Sequence, residues 1–168
     1  GILVPRIGTD LNSAKATDFT RIMAGAGGVS TYEQACSHFY QDHFGESIFT
    51  GKGLIDIETF HTVVGRRFPE NRVLSHDILE GAYLRAGLLS DVEMTDGMPA
   101  NALSWLARLH RWIRGDWQNL CFFGRTIQLN GSSRPNPISA LSRYQLFDNL
   151  RRSFVPVAAL ICVLVSAF

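Results

Sequence analysis

The chain has 168 residues, 46% of them apolar and 18% charged, a globular profile shifted slightly toward the apolar side and long enough for a real core. Its net charge of +1 conceals a division: residues 1–100 carry eight Lys/Arg and thirteen Asp/Glu, whereas residues 101–168 carry eight Arg and two Asp. Such a split points to an anionic ligand or lipid headgroups met by the second half, and the spacings of Cys36, Cys121 and Cys162 exclude both a zinc site and a disulfide framework, leaving free thiols in a reducing compartment.

In chain order, ILVP reads as a short strand stopped by Pro5, residues 8–18 as a loop, and Asp18 to Met23 as one or two helical turns that GAGG at 25–28 breaks. Thr31, with Gln34 three residues on, opens a helix that runs through Ala35 and Phe39 toward Phe44. SIFT, the turn Gly51-Lys52-Gly53 and LID read as strand, turn and strand. Asp56 caps a helix from Ile57 to Val64 that Gly65 ends. Val73 and Leu74 read as a strand end. Ile78, Leu79, Ala82, Tyr83 and Ala86 then give one helical face, with Gly87 as its C-cap, and Val92 and Met94 suggest another strand.

A helix that Pro99 could start follows, with Leu103, Leu106, His110, Ile113 and Trp117 at three- and four-residue steps. GSSRPNP at 131–137 reads as a loop, and Ile138 to Leu150 as an amphipathic segment on a membrane surface. FVPVAALICVLVSAF, residues 154–168, carries no charge and lacks the polar face of a core-packed surface helix. Arg143, Arg151 and Arg152 precede it, as the positive-inside rule expects on the cytoplasmic side. A spanning helix needs about 20 apolar residues, so the run is expected to be the start of a truncated transmembrane helix. Strands alternating with helices argue for an α/β domain.

Three stretches could carry chemistry. In RLHRWIRGDWQ, residues 108–118, Arg108, Arg111 and Gly115 share one side of a helix, and Trp112 is next to Arg108 at i+4. Guanidinium forks bind phosphate and an aromatic face stacks on a sugar or holds an Arg, which suits a diphosphate leaving group beside a sugar. The plainer reading is an amphipathic helix with a solvated Arg face. In LSHDILEG, residues 74–81, Asp77 falls where a strand end meets a helix start and could accept a proton from a sugar hydroxyl. The plainer reading is a helix cap, with Glu80 completing a capping box and His76 a polar neighbour. In FTGKG, residues 49–53, the glycines allow close backbone approach to a ligand. The scattered histidines support no metal site in this chain.

Taken in order, GILVPRI, FGESIFTGKGLID, RFPENRVLSHDILEGAYLRAG, RLHRWIRGDWQ and NPISALSRYQLFDNLRRSFVP resemble the glucosyltransferase domain of cyclic β-1,2-glucan synthases, large bacterial inner-membrane enzymes that polymerise glucose from UDP-glucose. More distantly the order is similar to the cellulose and hyaluronan synthases. The resemblance implies the C-terminal half of a GT-A-like glycosyltransferase domain on the cytoplasmic face, running into a transmembrane helix. It implies an acceptor-side half over 1–137, an interfacial segment over 138–153 and the start of the span over 154–168.

For the site, the resemblance implies Asp77 as the general base, with His76 beside it. It places Arg108, Arg111 and Trp112 near the donor diphosphate and acceptor sugar, and Gly51, Lys52 and Gly53 in a loop at the acceptor. UDP-glucose, a β-glucan acceptor and the lipid bilayer are the implied partners, with no nucleic acid. The family's Asp-x-Asp motif has no counterpart here, so the Mg or Mn ion it holds is expected on ligands outside this chain. This segment alone is not expected to catalyse transfer. The rivals are another processive membrane β-glycan synthase and a non-catalytic membrane-anchoring interaction module.

Overall fold

The computed structural model describes residues 1–24, 39–65, 67–68, 73–129 and 131–167. They form two compact units, one of residues 1–66 and 77–109, the other of 67–76 and 110–168. Among the described residues the architecture is mixed α/β, with two small sheets and seven α-helices, the last of them long and C-terminal.

The first unit is built on a three-stranded sheet in the order β2-β1-β3, where β1 is Ile2–Thr9, β2 Leu54–Ile55 and β3 Ala86–Asp96. β1 runs parallel to β3 and antiparallel to β2. Ile2, Val4 and Ile7 of β1 are buried, and their apolar area anchors the sheet to the helices. Pro5 does not stop β1, contrary to the sequence reading. β2 pairs with Ile2 and Leu3, so among the described residues β1 needs no donor on that side beyond them, and the register with β3 shifts between Pro5 and Arg6.

Local capping explains the short helices. Within the expected loop 8–18 lies α1, Leu11–Ala14, because the Asp10 carboxylate accepts from Ser13 N–H at 2.7 Å. Thr17 caps α2, Asp18–Met23, reciprocally with Thr20. The break at 25–28 and the helix start at Thr31–Ala35 lie outside the described residues, and Phe39–Phe44 is helical as α3. Asp56 caps α4, Ile57–Val63, and the Thr59 N–H it accepts holds its carboxyl below the usual value.

SIFT does not pair with LID. Ser47 makes an isolated bridge to Ala86, while LID supplies β2 to β1. Gly53 is dictated by that pairing: a Cβ there would stand 2.4 Å from the Leu3 carbonyl oxygen, which is backbone and cannot turn aside. Gly53→Ala should therefore destabilise the first unit by about 1–3 kcal/mol, the usual range for overpacking, checked by the urea midpoint of unfolding.

α5 spans Asp77–Leu84, with Ile78, Leu79, Ala82 and Tyr83 buried as their spacing requires. Val73 and Leu74 form no strand. Gly87 is not the cap of α5 either, since it already lies in β3. The left-handed residue is Arg85, at φ 60°. Such a conformation costs a non-glycine residue roughly 1–2 kcal/mol. It is held by the Arg85–Glu46 ion pair and by the Arg85 carbonyl, which accepts from Ile2 N–H at 3.2 Å.

α6, Ala102–Gln118, starts after Asn101, whose side chain accepts from Ser104 N–H at 2.9 Å, rather than at Pro99. Its expected packing face is largely exposed, Leu103 at 80%, and the residues it buries are Gly115 and Asp116. In the second unit a 3-10 turn, Asn119–Phe122, leads to an antiparallel hairpin of β4, Thr126–Leu129, and β5, Ser132–Pro135. Part of the expected loop 131–137 is thus a strand.

α7 is one continuous helix, Ala140–Ser166, capped by Ser139. At 27 residues it is about 40 Å long, enough to cross a bilayer. Leu146 and Leu150 of its first half are buried, whereas Phe154, Leu160, Val163 and Val165 are exposed. It is a candidate membrane span by length and composition. Pro156 cannot donate to the Arg152 carbonyl, so one helical bond is missing where the apolar run begins.

Candidate active site

Asp77 is the first residue of α5, and the FTGKG loop is laid along the helix face that carries it. Positions 77 and 81 share a face at i, i+4. Gly81 lets Phe49 sit close, with a Cβ there 3.0 Å from Phe49 Cβ, and Phe49 is itself buried. Two residues on, Gly51 lies directly on the Asp77 carboxyl. A Cβ at Gly51 would stand 3.0 Å from Cγ and from both carboxylate oxygens of Asp77, and Gly51 has φ 88°. The structure therefore brings together two stretches that lie 26 residues apart in sequence.

Lys52, next in the loop, turns to β3. Its Nζ lies 2.5 Å from Asp96 Oδ2, and Asp96 Oδ1 accepts from Gly97 N–H at 3.0 Å. Asp96 ends β3, at the carboxyl edge of the parallel pair, where Asp10 N–H reaches its carbonyl at 2.9 Å. Ligand sites of α/β sheets gather at such edges. Sequence reasoning missed Asp96; the signal was an acidic residue closing a strand.

The hydrogen bond from Lys52 holds the Asp96 carboxyl below its ordinary value of 3.8, helped by the charges of Lys52 and Arg108. With the folded value depressed, the pair's contribution is complete above the ordinary carboxyl value and is lost as pH falls through the folded one. Lys52→Met should bring the Asp96 titration back toward that value and remove this part of the acid sensitivity, read from the carboxyl carbon shift by NMR. An unchanged titration would mean that Lys52 does not govern this carboxylate.

Arg108, half-buried, thus belongs electrostatically to the first unit, while Arg111 and Trp112 belong to the second. There the exposed Arg111 is followed by Trp112, whose ring has the Arg152 guanidinium carbon 5.6 Å from its centroid, within cation–π range. A partner of the Trp112 ring thus comes from α7. Arg152 Nε in turn lies 2.8 Å from Oδ2 of the buried Asp116. Burial pushes the Asp116 carboxyl up to about 6, against the pull of Arg152. The contact is electrostatic more than directional, since Oδ2 is not aligned for a hydrogen bond and Nη2 is 3.5 Å from Oδ1.

The residues leading to the LSHDILEG helix are seated on the end of α6. Gly115 would place a Cβ 2.4 Å from Ser75 Cβ, Asn119 Nδ2 donates to the Ser75 carbonyl at 2.9 Å, and Leu74 N–H donates to Gln118 at 3.3 Å. Gly115 is thus a packing residue. His76 is exposed, and Asp77 and Glu80 both stand in the first turn of α5. Acidic clusters at helix starts are common without an ion, and no step below is routed through one. The arginines read as positive-inside charges also have internal partners: Arg143 donates to the Phe123 and Ile138 carbonyls, Arg151 pairs with Asp148, and Arg152 with Asp116.

Over 94% of its length this chain is 40% identical to the cyclic beta-(1,2)-glucan synthase NdvB of Rhizobium meliloti (strain 1021), and the match spans 5% of that protein's length. No family model matches the chain. The resemblance first read from separate motifs therefore extends through nearly the whole sequence.

Proposed function

We propose that this chain is part of the glucosyltransferase domain of a β-1,2-glucan synthase, which transfers glucose from UDP-glucose to a growing glucan with inversion at the anomeric carbon. The observation that carries the reading is the 40% identity across 94% of the chain to a cyclic glucan synthase. The lie of Gly51 on the Asp77 carboxyl supports it, because a base needs a backbone that lets an acceptor approach.

In this mechanism an acceptor hydroxyl attacks the anomeric carbon as its proton passes to Asp77. The new C–O bond forms opposite the bond to UDP, which breaks, so an α-linked donor gives a β linkage. Arg108 and Arg111 meet the charge that develops on the departing diphosphate, where bidentate guanidinium contacts are strongest. Trp112 offers a stacking face to a sugar. Lys52 is assigned, through Asp96, to holding the loop rather than to holding the sugar. A GT-A-like domain on the cytoplasmic face of a bacterial inner membrane, anchored by α7, completes the reading. A divalent metal on ligands outside this chain would neutralise diphosphate charge when bound.

The test is incorporation of labelled glucose from UDP-glucose by membranes carrying the full-length protein, followed by linkage analysis of the product. A β-1,2-linked glucan is expected. Incorporation with another linkage would reassign the protein to a different processive β-glycan synthase, and no incorporation would overturn the donor.

A further inference from the structure

We infer that Arg152 and Asp116 are positioning residues for Trp112, so that the orientation of the Trp112 ring is set from the base of the candidate membrane helix. All three lie in the second unit. Arg152 stands two residues before the apolar run of α7 and reaches back to α6. Its guanidinium carbon is 5.6 Å from the Trp112 centroid, while its Nε is 2.8 Å from Asp116 Oδ2. Asp116 and Trp112 are one helical turn apart on α6, at i+4, so one guanidinium spans both.

The placement of Asp116 is what singles the arrangement out. Its side chain is 4% exposed, and a buried carboxylate without a cation beside it would be costly. Burial and the ion pair therefore hold Arg152 where it lies, and Arg152, whose Nε–H donates to the Asn149 carbonyl at 3.2 Å, has little freedom to leave the ring. A planar fork can pair at its edge and stack by its face at once, which an ammonium cannot do. Arg152 is thus bound by geometry as well as by charge. α7 supplies the cation, and α6 supplies both the ring and the counter-charge.

The functional half of this inference rests on the proposed glucosyltransferase reading. It is tested in membranes carrying the full-length protein, with Arg152→Met, Arg152→Lys, Trp112→Ala and the double variant Trp112→Ala/Arg152→Met at matched protein levels. Both Arg152 variants should lose roughly tenfold in kcat/KM for UDP-glucose transfer. In the Trp112→Ala background Arg152→Met should cost nothing more, since residues acting through one another are non-additive. Arg152→Lys at the wild-type rate, or losses that multiply, would overturn the inference.

A second readout is independent of activity. Acrylamide quenching assigned to Trp112, by difference against the Trp112→Ala background, should rise about twofold in Arg152→Met, as a covered ring face opens. Unchanged quenching would refute the contact itself. If the wild type transfers nothing from UDP-glucose, the functional reading fails on its own, and the quenching result still decides whether Arg152 positions the ring.

Discussion

Asp77→Asn in the full-length protein is expected to lower glucose transfer by roughly 10²–10⁴-fold, the usual contribution of a general base, with UDP-glucose binding nearly unchanged. That loss corresponds to about 3–5.5 kcal/mol of barrier. The substitution is chosen because Asn serves a helix start as well as Asp does. If Asp77 only helps to begin α5, Asn preserves the helix and transfer continues. If it takes the acceptor's proton, Asn keeps the shape and removes the chemistry. Retention of UDP-glucose binding, measured by calorimetry, separates a missing base from a collapsed site. Equal activity of the two proteins would leave Asp77 as a helix residue and end the mechanism.

Gly51→Ala should cost about 10²-fold in transfer, because small displacements of a reacting group are amplified in rate. Two effects act together. The backbone at φ 88° would be strained by any Cβ, by roughly 1–2 kcal/mol. That Cβ would also press on Cγ and both oxygens of Asp77 at 3.0 Å, tighter than ordinary contact, so the carboxylate must shift. Gly45 isolates the first effect. It has φ 68° but no atom within 4 Å of its Cβ position. Gly45→Ala should therefore lower the unfolding midpoint and leave transfer per folded enzyme unchanged. Equal activity of Gly51→Ala and Gly45→Ala would mean that the loop does not govern Asp77.

Much of the chain was legible because its determinants are local. Thr17 and Asp56 are capping residues, and the helices they begin are where the sequence places them. The buried face of α5 follows from the three- and four-residue spacing of Ile78, Leu79, Ala82 and Tyr83. One local signal was passed over. Asn130-Gly131 between TIQL and SSRP is the strongest short hairpin signature, and β4 and β5 flank it in register, Leu129 opposite Ser132.

The misreadings share a cause. Pro5 reads as a strand stop unless it is known that β2 pairs with β1 at Ile2 and Leu3 and not at Pro5. Gly87 is the natural cap by residue type, but Ile2 and Glu46, brought in from elsewhere in the chain, hold Arg85 in the left-handed turn instead. The exposed Leu103 face of α6 shows that periodicity finds a helix without finding what packs on it.

The sequence by itself determined the mixed α/β class, the starts of α2, α4 and α5, the apolar C-terminal helix and the motif order that resembles a glucan synthase. These depend on backbone propensity, on periodicity and on residue identity, all of which can be read along a line. Only the tertiary structure decided that Gly51 lies on Asp77, that Lys52 pairs with Asp96, and that Arg152 from α7 stands over the Trp112 ring. Those partners are between 26 and 44 residues apart. Many charges of the right sign lie at such separations, and only the packing of the sheet and helices selects which of them meet.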